Sequence, residues 1–282
     1  MPQRLAEQYR ELKATAAENL EGPRVPQLIS EMSLYARGLL HRAERVQLTS
    51  RVESKRYFGF AGQEQSRPVN EGLYIEDEAQ FSHLISAFYR GFQNTSPDDI
   101  VKSVYTIAYS VFAANDVYKV GRKASATFFE VLIGHVVSRW LGVLPRKKVR
   151  IPESGADLPT DYVFDPGRNS RKLHLPIKTS TRERAVQAWV HQLVLDRIFG
   201  NREYQGVLVV ASETKRDSKT GEVIEICVPN QLQMFQARVA EISRVYYLDP
   251  PRVYLALANA RPRIEVRSFG RASKELRPLL RS

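Results

Sequence analysis

Residues 156–192 read ADLPTDYVFDPGRNSRKLHLPIKTSTRERAVQAWVHQ, and the order of residue types in this stretch decides the fold. Tyr162, Val163 and Phe164 are aromatic or β-branched, Asp165-Pro166-Gly167 has turn chemistry, and residues 172–178 alternate polar with apolar. The pattern predicts an antiparallel hairpin that closes over residues 166–171. In that register Leu173, Leu175 and Ile177 face the core, while Lys172, His174, Pro176 and Lys178 face the other way. Asp161 then falls opposite Pro176 and diagonally beside Lys178, so a carboxylate and an ammonium meet at one end of a sheet.

Working outward, a helix is predicted over 125–141, with Phe129, Leu132, Ile133, Val136 and Trp140 on one apolar face. Strands are expected at 147–151, 162–164 and 172–179, then a helix over 181–199 and an apolar strand at 206–211. Beyond these the pattern reads as a strand at 223–228, a helix over 230–248 and a strand at 253–257. A hairpin followed by a crossover helix and another strand makes a mixed sheet with helices on both faces, an α/β fold. The first 115 or so residues read as mostly helical, with loops around 53–72. Their clearest helix start is Ser96-Pro97-Asp98-Asp99: a hydroxyl cap, proline at the first position and two carboxylates at the positive end of the dipole. A division follows into a helical N-terminal region, 1–118, and an α/β region, 119–282.

A chain of 282 residues with 43% hydrophobic residues can bury a substantial core. The net charge of +11 favours a polyanionic partner, because each phosphate neutralised by Lys or Arg releases counterions. The single cysteine, Cys227, excludes an internal disulfide and a zinc cluster and suits a reducing cytoplasm. The N-terminal MPQRLAEQYRELKATAAENLE lacks the apolar core of a signal peptide, and no stretch approaches the roughly 18 apolar residues that span a bilayer. A soluble cytoplasmic protein without a membrane partner is expected.

Phosphodiester hydrolysis needs a cation for the charge of the transition state and an activated water, tasks that oxygen ligands around Mg²⁺ serve. Asp161 and Lys178 at a sheet end suit that chemistry. So does Glu130, an acid in the otherwise apolar ATFFEVLIGHVV, where a solvated helix face is its other reading. Together with the S-T-R-E-R that opens the next helix, the conjunction resembles the PD-(D/E)xK nuclease superfamily and, within it, the type II restriction endonucleases. The resemblance covers about residues 121–211 and implies a restriction-endonuclease-like mixed sheet flanked by helices. It places Mg²⁺ with Asp161, Glu130 and Ile177 and gives Lys178 the work on the attacking water. Pro159-Thr160-Asp161 stands for the first half of the motif and Pro176-Ile177-Lys178 for the second. Position 176 departs from the motif, since a proline stands where an acid is expected.

One branch of these enzymes, reading CCGG or CC and GG around a spacer, moves that acid onto the following helix and carries a basic-acidic-basic cluster beyond the lysine. Arg182-Glu183-Arg184 looks like that cluster, and the chemistry agrees: arginine bonds guanine O6 and N7 bidentately, and a carboxylate accepts from cytosine N4. Where the displaced acid would fall, this chain has His191 and Gln192. Gln187 and His191 are supporting candidates, each also readable as part of an ordinary helix face. Asp157 is an alternative first acid, and Asp165 belongs to the turn. His174 is a neighbour of the lysine. Arg146, Lys147, Lys148 and Arg150 are a basic run suited to phosphates or simply to water. Tyr246 and Tyr247 read as core.

The resemblance further implies a homodimer cutting a palindromic, C:G-containing DNA duplex to 5′-phosphate and 3′-hydroxyl ends, with a cognate DNA methyltransferase as functional companion. The alternatives are a repair nuclease of the same superfamily, a DNA-binding module that lost catalysis, and a basic scaffold protein for RNA.

Overall fold

The computed structural model describes residues 2–121, 123–182, 185–201 and 203–281. In chain order the first elements are α1 (Pro2–Glu18), α2 (Arg24–Leu40), β1 (Glu44–Leu48), β2 (Tyr57–Ala61), β3 (Val69–Asn70), α3 (Glu78–Tyr89) and α4 (Pro97–Tyr118). There follow α5 (Ala124–Leu141), β4 (Arg146–Arg150), β5 (Asp157–Phe164), β6 (Lys172–Leu175), β7 (Ile177–Lys178), α6 (Ala185–Phe199) and β8 (Tyr204–Val210). The remainder is β9 (Thr214–Arg216), β10 (Val223–Glu225), α7 (Pro229–Arg238), β11 (Arg244–Tyr247), α8 (Arg252–Leu255), β12 (Val266–Ser268) and α9 (Ala272–Arg281). The chain forms two compact units, one of residues 1–135 with 214–226, the other of 136–213 with 227–282.

In the first unit α4 is the central element. Ser96 caps it by accepting from the Asp99 N–H, as the Ser-Pro-Asp-Asp signal requires, and residues from Ile100 to Val117 are buried almost without interruption. The helix ends at Lys119 in the left-handed conformation. The mostly helical expectation holds for α1 to α4 but misses a three-stranded antiparallel sheet, β1-β2-β3. Its middle strand, Tyr57-Phe-Gly-Phe, is buried on both faces, so it shows no alternation to betray it.

The second unit holds the larger sheet, in the order β12-β11-β8-β6-β5-β4 with β7 pairing β8. β4, β5 and β6 are antiparallel, whereas β8 is parallel to β6 and β7, and β11 is parallel to both β8 and β12. The crossover from β7 to β8 runs through α6, whose Ala185, Ala188, Trp189, Gln192 and Leu195 are buried at helical spacing. Trp189 joins Leu208, Val210, Val245, Tyr247 and Tyr254 in one core, while Leu195 packs with Val163 and Tyr204 in another. On the opposite face Tyr246 donates to Glu275 of α9, and Trp140 lies 5.3 Å from Phe269 between ring centroids. This is the mixed sheet with helices on both faces that the element order implied.

Three expectations beyond β8 are corrected. The helix read over 230–248 stops at Arg238, and Arg244–Tyr247 is a strand. The Gln236 side chain ends the helix by accepting from the Ile242 N–H and donating to its carbonyl, so the chain turns into a β-branched and aromatic segment buried on both faces. The strand read at 253–257 is instead the α8 turn and a following 3₁₀ turn: Tyr254 and Leu257 are buried three apart while Val253 and Leu255 are exposed. The strand read at 223–228 is cut to Val223–Glu225, because Pro229 starts α7, and it pairs antiparallel with β9 in the first unit.

Candidate active site

The register Tyr162↔Leu175, Val163↔His174 and Phe164↔Leu173 puts Asp161 opposite Pro176, as predicted. Pro176 has no N–H to give, so the strand breaks there into β6 and β7. The Asp161 carboxylate then substitutes for a backbone acceptor. Its Oδ2 takes the Ile177 N–H at 2.7 Å and the Lys178 Nζ at 2.9 Å. The pair is partly buried, with side-chain exposures of 25% for Asp161 and 16% for Lys178, so solvent screens it less than a surface pair.

β7 is pinned on its other edge to β8, where the Pro176 and Lys178 carbonyls accept from Val209 and Ala211. The Ile177 N–H points away from β8 toward Asp161, and strand geometry directs its carbonyl the same way. Asp161 Oδ1 and the Ile177 carbonyl are thus hard oxygen donors at one sheet end, a set that suits Mg²⁺, which binds one or two carboxylates and completes its shell with water and phosphate. Among the described residues no group of three or more His, Cys, Asp or Glu side chains is placed to hold a metal. Glu130 is half-buried on α5, in the first unit.

His174 lies on the Lys178 face of β6 and is fully buried beneath α6. Its Nδ1 is 2.9 Å from Gln192 Oε1, and Gln192 Nε2 donates to Asp196 and to the Tyr204 carbonyl, so the histidine donates from Nδ1 and keeps a lone pair on Nε2. That Nε2 is buried and has no hydrogen-bond partner among the described residues. Burial lowers the His174 pKa to about 4, with Gln192 opposing the shift. His191 stands 6.2 Å from it, ring to ring, half-buried, its pKa likewise lowered by burial and touched by the charges of Asp161 and Lys178. Gln192 therefore anchors the strand beneath the site.

A histidine neutral in the fold down to about pH 4 but ordinary when unfolded lets the unfolded chain bind the extra proton in between. Stability falls on this account as pH drops from 6.5 toward 4, by up to about 3 kcal/mol, and is unaffected above that window. Urea unfolding at pH 7.5 and pH 5 measures it. His174→Asn, which keeps a donor toward Gln192, should lose this part of the pH dependence; an unchanged difference refutes it.

Arg182 sits in a turn before α6, whose described residues begin at Ala185, and the Ala185 N–H donates to the Thr181 carbonyl at 2.9 Å; Glu183 and Arg184, and with them the helix start expected near Thr181, lie outside the described residues. Gln187 is exposed on the first turns of α6. Asp157 is ion-paired with Lys148 and Arg150 on the neighbouring strand, which lowers its pKa, and stands apart from the Asp161 pair. Asp165 closes its turn by accepting from the Gly167 N–H. The basic run on β4 is exposed, with Lys147 over the Tyr162 ring.

Sequence reasoning missed Glu213. It follows β8, is fully buried, and its Oε1 accepts from the Thr181 N–H, the Thr181 hydroxyl and the Tyr247 hydroxyl. The signal available was an acid one serine beyond the apolar run 206–211.

This order of strands and helices, with carboxylate and lysine at the break after the hairpin, defines the restriction endonuclease fold. Among solved structures, the type IIP restriction endonuclease Kpn2I is similar over 100% of this chain and 98% of its own, with 26% identity and a TM-score of 0.86. Such a whole-length likeness supports a type II restriction endonuclease, a site-specific deoxyribonuclease. The restriction endonuclease PspGI, solved with its substrate DNA, is a remote second: 15% identity, TM-score 0.42, covering 74% of this chain and 85% of that one. No family model and no curated protein matches the chain. No helix among the described residues is long and apolar enough to cross a membrane.

Proposed function

We propose that the chain is a type II restriction endonuclease that hydrolyses double-stranded DNA with Mg²⁺ at a short palindromic, C:G-containing site, leaving 5′-phosphate and 3′-hydroxyl ends. The observation that best supports this reading is the Lys178 ammonium held 2.9 Å from the Asp161 carboxylate at the end of β7, with the Arg182 turn immediately beyond. Asp161 and the Ile177 carbonyl would hold the metal, with Glu130 as the second carboxylate that Pro176 does not supply. The ion, when bound, offsets the negative charge that develops on the phosphate in the transition state. Lys178, oriented by Asp161, donates from Nζ to the attacking water and the nearby phosphate oxygen. Arg182, Glu183 and Arg184 read C:G pairs from the major groove, Gln187 and His191 line the helix behind them, and the β4 cations meet the backbone. A palindrome presents two equal half-sites, which a homodimer with two copies of one site cuts on both strands. A cognate methyltransferase would protect the host's own sites, in the cytoplasm.

The test is incubation with long unmethylated duplex DNA in Mg²⁺ or in EDTA, followed by sequencing of the fragment ends. Discrete Mg²⁺-dependent ends sharing one C:G-containing palindrome are expected. Tight binding without cleavage under any divalent ion would refute the enzyme and favour a binding module, a reading for which Pro176 speaks.

A further inference from the structure

The segment between Lys178 and Arg182 hangs from the end of β8. The Ser212 N–H donates to the Thr179 carbonyl at 3.2 Å, and one residue on, Glu213 Oε1 takes the Thr181 N–H at 2.9 Å and its hydroxyl at 2.6 Å. Tyr247 of β11 donates to the same oxygen at 2.8 Å. Glu213, Thr181 and Tyr247 are all fully buried. The loop that begins the arginine cluster is therefore fixed to the two central parallel strands through one carboxylate.

A glutamine would satisfy all three donors with its carbonyl oxygen and spare the cost of burying a charge. A carboxylate is worth keeping where a cation answers it. Glu213 Oε2 is buried and has no hydrogen-bond partner among the described residues, and the nearby charge that favours its ionised form is Arg182. Burial by itself holds the Glu213 proton affinity up, and it raises Tyr247 as well, where the Glu213 charge acts in the same direction. Bidentate reading of guanine needs a guanidinium held within about 0.5 Å and 10–20° of its working geometry, which a turn residue attains only if something behind it is rigid.

We propose that Glu213 is a positioning residue for base reading: it pins Thr181 and backs the Arg182 guanidinium, and so sets how strongly the enzyme prefers its own site over one-base variants. This rests on the reading of Arg182 as a base contact. The role lies outside the catalytic pair, since Glu213 acts through Thr181 and Arg182.

The experiment compares wild type, Glu213→Gln, Thr181→Val, Thr181→Ser and Arg182→Ala on an unmethylated random-sequence duplex library with Mg²⁺, sequencing fragment ends over time. The readout is the rate ratio between the preferred site and its one-base variants, with thermal unfolding in parallel. Glu213→Gln should keep its melting temperature near wild type and lower the ratio about tenfold. Thr181→Val should lower it less, and Thr181→Ser should restore it. An unchanged ratio in folded Glu213→Gln and Thr181→Val, with Arg182→Ala lowering it, overturns the proposal and leaves base reading by Arg182 intact. An unchanged ratio in Arg182→Ala removes base reading itself, and the proposal with it. If Glu213→Gln fails to fold, the Thr181 pair decides.

Discussion

Lys178→Ala is expected to lower the single-turnover rate of Mg²⁺-dependent DNA cleavage by about 10³-fold while duplex affinity, measured with Ca²⁺ in place of Mg²⁺, stays within about threefold of wild type. The asymmetry follows from where the ammonium sits. Lys178 is one cation among the net +11 of the chain, so its share of the backbone attraction is small. Its position is another matter: it is held at the sheet end by Asp161, partly out of solvent, where a donor aimed at a developing charge is worth far more than in water. Lys178→Met, which keeps the alkyl stem against its neighbours, should behave like the alanine variant and so separate charge from packing. Cleavage at the wild-type rate in both would remove Lys178 from the chemistry. Loss of DNA affinity in step with cleavage would make it a binding residue instead.

The hairpin was legible because its information is local. Alternation over 172–178 gives the face, the Asp-Pro-Gly turn gives the closure, and the two together give the Asp161–Pro176 register that the ladder confirms. What lies beneath it was not. His174 sits on the face that alternation assigned away from the core, yet it is buried because α6 lies over that face, a fact that depends on a helix elsewhere in the chain. Gln192 stood out only as a departure from an expected acid; its bonds to His174, Asp196 and Tyr204 belong to tertiary structure. β2 and β11 failed for a common reason, since strands buried on both faces lose the period of two and read like helix or loop. Glu213 escaped because an acid at a strand end is normally solvated. Only the approach of Thr181 and Tyr247 shows that this one is not.

Asp161→Asn should be as damaging to cleavage as loss of the lysine, about 10³-fold or more, but should strengthen binding where loss of the lysine leaves it nearly unchanged. Both donors to Asp161 among the described residues, the Ile177 N–H and the Lys178 Nζ, land on Oδ2. An asparagine can turn its carbonyl oxygen to them, so the hairpin end stays closed and the melting temperature moves by only a few degrees. The other oxygen becomes an amide nitrogen, which cannot serve a hard cation, and the negative charge is gone. Removing a carboxylate from the path of a phosphate also strengthens DNA binding without metal, by a few-fold at low salt. Asp161→Ala differs instructively: it strands the Ile177 N–H, at about 1–3 kcal/mol, so it should lose stability as well as cleavage. Asp157→Asn is the internal control, because that acid is exposed and engaged with Lys148 and Arg150, and cleavage should remain within about twofold. Should Asp161→Asn cleave at more than about a tenth of the wild-type rate while Asp157→Asn does not, the first acid of the motif is Asp157, and the ion pair at the end of β7 holds the strand and does no chemistry.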